Sequence, residues 1–102
     1  MIPLTDQIID RGTDLKWRCI WGGTTPTVKW YRNGAELTPD NLTAEDVARY
    51  TIERTELVIT KVKESDSGMY QCGAFNTYGS QFSSAQLKVL CESTLVIYVS
   101  VC

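Results

Sequence analysis

The sequence predicts an all-β domain built as two packed antiparallel sheets. Three observations carry this. Several runs alternate apolar and polar residues with the two-residue period of a strand, as in Leu15, Trp17, Cys19 and Trp21 against Lys16, Arg18 and Ile20. Turn chemistry punctuates the runs, with Asn33-Gly34 and Asn76 to Gly79 suited to hairpins. A tight corner at Asp66-Ser67-Gly68 leads into Tyr70, Cys72 and Ala74, which share one face of a strand. A Tyr two residues before a Cys, after Asp-x-Gly, has the arrangement of a tyrosine corner, with the hydroxyl bonding backbone a few residues upstream.

The 102 residues suffice for one such domain and a modest core. Twelve acidic and ten basic residues are spread along the chain for a formal net charge of -2, with no basic run, so nucleic acid is not an expected partner. The absence of His removes the commonest general base and rules out any Ser-His or Cys-His pair. No enzyme activity, small-molecule substrate or cofactor is expected. The four Cys at 19, 72, 91 and 102 contain no C-x-x-C pair, which argues against a zinc site. Met1 ahead of Ile2-Pro3-Leu4 reads as a start codon placed on an excised domain, with no signal peptide.

In chain order, Ile2 to Asp10 is extended, with Pro3 suiting an edge strand and Ile8 and Ile9 expected to anchor its second half. Arg11-Gly12-Thr13 is a turn. Leu15 to Trp21 is a strand with Cys19 inward, and Gly22 to Pro26 is a loop. Val28 to Arg32 forms the next strand, with Val28 and Trp30 inward and Lys29 and Tyr31 outward, closed by Asn33-Gly34. Ala35 to Leu37 is a short edge strand. A polar loop follows from Thr38 to Thr43, then a helical turn at Ala44 to Val47.

Arg49 to Glu53 and Glu56 to Thr60 are strands with Tyr50, Ile52, Leu57 and Ile59 as inward residues. The strand from Tyr70 carries Gln71, Gly73 and Phe75 on its outer face. Gln81 to Leu90 closes the sandwich, with Leu87 and Val89 inward and Gln86 and Lys88 outward.

The run Asp66-x-Gly68-x-Tyr70-x-Cys72-x-Ala74-x-Asn76-x-x-Gly79 resembles a strand of the immunoglobulin superfamily, most like its I-set type. Cys19, Trp30 eleven residues later, Leu57 and the 53-residue separation of Cys19 from Cys72 extend the resemblance over about residues 2–90. It implies a Greek-key sandwich whose core signature is Trp30, Leu57, Asp66, Gly68 and Tyr70. It also implies an inter-sheet disulfide between Cys19 and Cys72 packed on Trp30, the alternative being reduced core thiols as in cytosolic muscle members. Asp66 and Arg49 are candidates for an ion pair at the base of the sandwich. Trp21 is read as filling the loop end of the core or protruding there.

Neural adhesion molecules and axon-guidance receptors look similar through Trp30-Tyr31-Arg32-Asn33-Gly34. The implied function is non-catalytic protein–protein recognition at the cell surface, with a like or unlike domain as partner and a weak homodimer as one form. The alternative is a spacer or docking module of an intracellular muscle or cytoskeletal protein. Tyr31 and Phe75, flanked by Lys29, Gln71 and Lys88, form the candidate interface, since aromatic residues on a polar sheet face have the composition of one. Asn41-Leu42-Thr43 is a glycosylation sequon in a surface loop.

Residues 91–102 depart from the family. Leu95 to Val99 is too short for a bilayer, which needs about 20 apolar residues. The tail is read as the start of a membrane anchor, an extra edge strand, or a splice or cloning remnant, and by composition it is an aggregation hazard if exposed. Cys91 and Cys102 are candidates for a second disulfide, an intermolecular bond or free thiols.

Overall fold

The computed structural model describes residues 4–19, 27–53 and 55–90. Strand β1 is Gln7–Asp10, β2 Leu15–Arg18, β3 Thr27–Arg32, β4 Ala35–Glu36, β5 Tyr50–Glu53, β6 Glu56–Ile59, β7 Gly68–Asn76 and β8 Gly79–Leu90. A helix, α1, spans Ala44–Arg49, and 3-10 turns occupy Pro39–Asn41 and Glu64–Asp66. One sheet has the order β1-β8-β7-β3-β4 and the other the order β2-β6-β5. Every pairing is antiparallel except that of β1 with β8, which runs parallel from Gln7 opposite Leu87 to Asp10 opposite Leu90. The two strands come from opposite ends of the sequence, so no tight turn constrains their relative direction.

The inner faces meet over Trp30, Tyr70, Leu57, Ile59, Leu87 and Val62, all with less than 2% of their surface exposed. Trp30 stands opposite Cys72 in the β3–β7 register, and Cys72 is joined to Cys19 by a disulfide. Trp17 packs its ring on Tyr70 at 5.3 Å and donates its indole N–H to the Thr5 carbonyl at 2.9 Å. Leu4 is buried too, its amide donating to Ser83 Oγ, which pins the entering chain against β8.

The Asn33-Gly34 turn adopts positive φ at both residues, 50° and 86°, the backbone that lets a two-residue hairpin follow the twist of its strands. Gly68 opens β7 where a β-carbon would meet the Asn33 side chain at 2.8 Å, while Asn33 Oδ1 accepts from the Met69 amide. Thr43 caps α1 by accepting from the Asp46 amide.

Two expected core assignments need correction. Ile8 is 67% exposed, and only Ile9 packs on the core. Adjacent residues of a strand point to opposite faces, so both could not anchor it. Ile52 is 38% exposed although Tyr50, two residues earlier, is buried. It lies on the edge strand of the three-stranded sheet, at a groove beside Leu37, Leu42 and Val47 that no element covers among the described residues. Arg49, expected to open a strand, ends α1. Trp21, Cys91 and Cys102 lie outside the described residues, as does the whole expected tail.

Candidate functional site: the outer face of the five-stranded sheet

Two polar constellations stand apart in the fold, one buried and one open. The buried one centres on Asp66, which has no exposed surface. Arg49 donates to it twice, Nη1 to Oδ2 at 2.8 Å and Nη2 to Oδ1 at 3.0 Å. Tyr50 donates its hydroxyl to Oδ1 at 2.6 Å, and the Lys63 amide donates to Oδ2. Tyr70 donates its hydroxyl to the Asp66 carbonyl at 2.6 Å, the backbone bond of a tyrosine corner.

Burial by itself would raise the Asp66 pKa, but the bonds from Arg49, Tyr50 and the Lys63 amide outweigh it and hold the carboxyl below its usual range. The Asp66 contact in turn raises the Arg49 pKa, and burial raises those of Tyr50 and Tyr70. Arg49 also donates to the Lys61 carbonyl and to Asp46. Arg49 Nε alone of its guanidinium nitrogens is buried there without a hydrogen-bond partner among the described residues. The cluster ties helix, corner and both sheets together.

The open constellation lies on the solvent side of β3, β7 and β8. Register sets three rows across these strands: Thr27, Phe75 and Ser80; Lys29, Gly73 and Phe82; Tyr31, Gln71 and Ser84. Phe82 sits between the two expected aromatics. Its ring meets Phe75 edge-on at 5.5 Å and Tyr31 at 6.4 Å, with an interplanar angle of 52°. Lys29 Nζ stands 5.7 Å from the centre of the Phe75 ring, within reach of its electron-rich face. Tyr31, Phe75 and Gln71 are half-buried, Lys29 is exposed, and Phe82 keeps 46% of its surface open.

The sequence reading missed Phe82, although a signal for it was present. Gly73 lies inside a strand, where glycine weakens packing unless something approaches closely. The approaching group is Phe82, whose Cε2 would come within 2.7 Å of a β-carbon at Gly73. The ring therefore covers Gly73, which lies on the outer face and is buried there.

Lys88 needs correction as well. It shares the outer face but lies six residues beyond Phe82, about 20 Å along β8, opposite Ile8 and away from the aromatic rows. Met69 at 48% and Ile8 at 67% exposure lie toward that end, opposite Gln86 and Lys88. Asn41 is exposed at the end of its 3-10 turn and donates Nδ2 to the Glu36 carbonyl at 2.8 Å.

The chain matches the immunoglobulin I-set domain over residues 1–89. It belongs to that family. Among curated proteins it is similar to Contactin-5 of Danio rerio, 38% identical over 93 residues, covering 90% of this chain and 8% of the relative. Contactin-1 of Homo sapiens is 35% identical over 88 residues, covering 85% and 7%. The chain thus spans less than a tenth of the length of these relatives.

Among solved structures, the titin domains Z1Z2 in complex with telethonin superpose with a TM-score of 0.75 at 28% identity, covering 88% of this chain and 46% of that one. The titin M3 domain gives a TM-score of 0.69 at 26% identity, covering 85% and 90%. The sandwich fold is thereby shared with domains of titin.

Proposed function

We propose that this I-set domain is a non-catalytic recognition module of an extracellular cell-adhesion or signalling receptor, and that it binds protein partners through the outer face of its five-stranded sheet. The observation that carries the reading is the contact of Phe82 with both Phe75 and Tyr31 on a face the core does not need. Large aromatics held against one another, with a lysine beside them and polar residues around, are suited to anchor an interface. The similarity to contactins supports a cell-surface setting.

Sedimentation of the purified domain across a range of concentrations tests self-recognition. The wild type is expected to dissociate on dilution and Phe82→Ser to stay monomeric without loss of secondary structure. A wild-type monomer directs the search to a different domain as partner. Binding of either kind that survives Phe82→Ser, Phe75→Ser and Tyr31→Ser excludes this face.

The titin superposition supports a second reading, a spacer in an intracellular filament protein. Labelling the thiols of the protein in its source cells separates the two. Cys19 and Cys72 resist labelling in an oxidising compartment and react, once unfolded, in a reducing one.

A further inference from the structure

Asn41-Leu42-Thr43 sits at a place the fold leaves open. Asn41 closes the 3-10 turn that follows β4, and its exposed amide spends one of two hydrogens on the Glu36 carbonyl. Pro39 and Leu42, on either side, line the groove that also holds Leu37, Val47, Tyr50 and Ile52. Val47 and Ile52 are 42% and 38% exposed there, so the groove that Leu42 of the sequon lines presents open apolar surface.

We propose that Asn41 carries an N-linked oligosaccharide whose innermost sugar covers this groove. This rests on the extracellular reading. The step replaces the second Nδ2–H bond by a bond from Nδ2 to the anomeric carbon of an oligosaccharide carried on a polyprenyl diphosphate. The bond from that carbon to the diphosphate breaks, the diphosphate leaves with the electron pair, and the proton passes to a base of the transferase. The product amide retains one N–H, enough to keep the bond to Glu36.

Timing follows from Thr43, whose Oγ1 accepts from the Asp46 amide and so caps α1. A transferase that reads Asn-x-Thr needs that hydroxyl and an extended chain. Addition therefore precedes closure of this turn, and the finished fold houses the product at its rim. The C–H face of a pyranose complements the apolar floor, and a bulky polar group there keeps Val47 and Ile52 from associating with other proteins. The aromatic sheet face stays open.

The test secretes the chain from eukaryotic cells and treats it with a peptide-N-glycosidase in oxygen-18 water, which converts a glycosylated Asn to labelled Asp. The expected result is a loss of glycan mass and a label at Asn41 in the wild type and Thr43→Ser, with neither in Asn41→Gln or Thr43→Ala. Thr43→Ser keeps both sequon and helix cap, so its glycan separates modification from folding.

A secreted, disulfide-bonded chain without label overturns the proposal and leaves the extracellular reading standing. Cys19 and Cys72 found as thiols in the source cells overturn that reading, whatever the glycan result. For the covering, methyl resonances of Val47 and Ile52 are compared between the glycosylated chain and Asn41→Asp, which has the charge left by the glycosidase but never bore a sugar. Shifts confined to this groove are expected, and unchanged Val47 and Ile52 methyls refute the covering.

Discussion

Arg49 grips both carboxylate oxygens of Asp66, one from each terminal nitrogen, at 2.8 and 3.0 Å. Neither residue has appreciable contact with water. Removing one partner leaves the other charge buried and unpaired, so Asp66→Ala is expected to destabilise by about 3–5 kcal/mol. A urea midpoint lowered at constant slope is the readout. A loss below about 1 kcal/mol would show that water enters the site and screens the pair.

The same site sets the response to acid. The folded Asp66 pKa lies below its unfolded value near 3.8, so its contribution is complete above that value and is lost as pH falls through the folded pKa. Stability is expected to hold down to about pH 5 and then fall. Asp66→Asn should flatten that limb relative to wild type. Tyr50 acts on the alkaline side. Its folded pKa is raised, so the folded state keeps a proton that the unfolded chain releases near pH 10, and stability declines above that value. Tyr50→Phe should reduce the alkaline decline in thermal melts taken across pH.

Gly73 and Phe82 should prove energetically coupled. A methyl at Gly73 would press on the ring at 2.7 Å, so Gly73→Ala is expected to cost about 1–3 kcal/mol as Phe82 is pushed aside. In a Phe82→Ala background the same substitution should cost markedly less. Equal costs in both backgrounds would mean that the ring does not rest on Gly73 in solution.

The disulfide and Trp30 form one packing unit. Trp30→Ala is expected to cost about 3–5 kcal/mol. Reduction of Cys19–Cys72, closing a loop of 53 residues, is expected to cost roughly 4 kcal/mol on the chain-entropy account. Denaturant curves with and without reductant measure both. If Trp30→Ala cost under about 1 kcal/mol, the indole would not belong to the core.

Ile52 and Ile59 occupy the same sheet, one at its open edge and one in its centre. Ile59→Ala should cost about 2–5 kcal/mol and Ile52→Ala well under half as much, measured by thermal or urea unfolding.

That last contrast shows where a sequence is legible. Alternation tells which side of a strand a residue takes, and it placed Leu57, Ile59, Leu87 and Val89 inward, where they are buried. It does not tell whether anything stands opposite. Ile52 follows the same alternation, but the groove beside it is uncovered. The spacing of Asp66, Gly68, Tyr70 and Cys72 identifies the corner because each residue there answers a backbone demand. Helix α1 shows in the sequence only as a turn, since six residues carry too little periodicity, and the pattern alone puts Arg49 in the strand that follows it. Alternation puts Tyr31 and Phe75 on one outer face, while the residue that joins them, Phe82, requires a register between strands that no single run of sequence contains. The glycine inside the strand opposite it, Gly73, is the available clue.

The parallel ladder of β1 and β8 has a mechanical consequence. Because both strands run the same way, chain attached ahead of β1 and chain attached after β8 leave from opposite ends of the sandwich. Tension between those attachments pulls the two strands past each other along their length. The hydrogen bonds from Gln7–Leu87 to Asp10–Leu90, with the Leu4 amide on Ser83 and the Gln86 amide on Asp6, then share the load at once rather than parting one by one. Such a domain would hold its shape under stretch until that short seam fails as a unit.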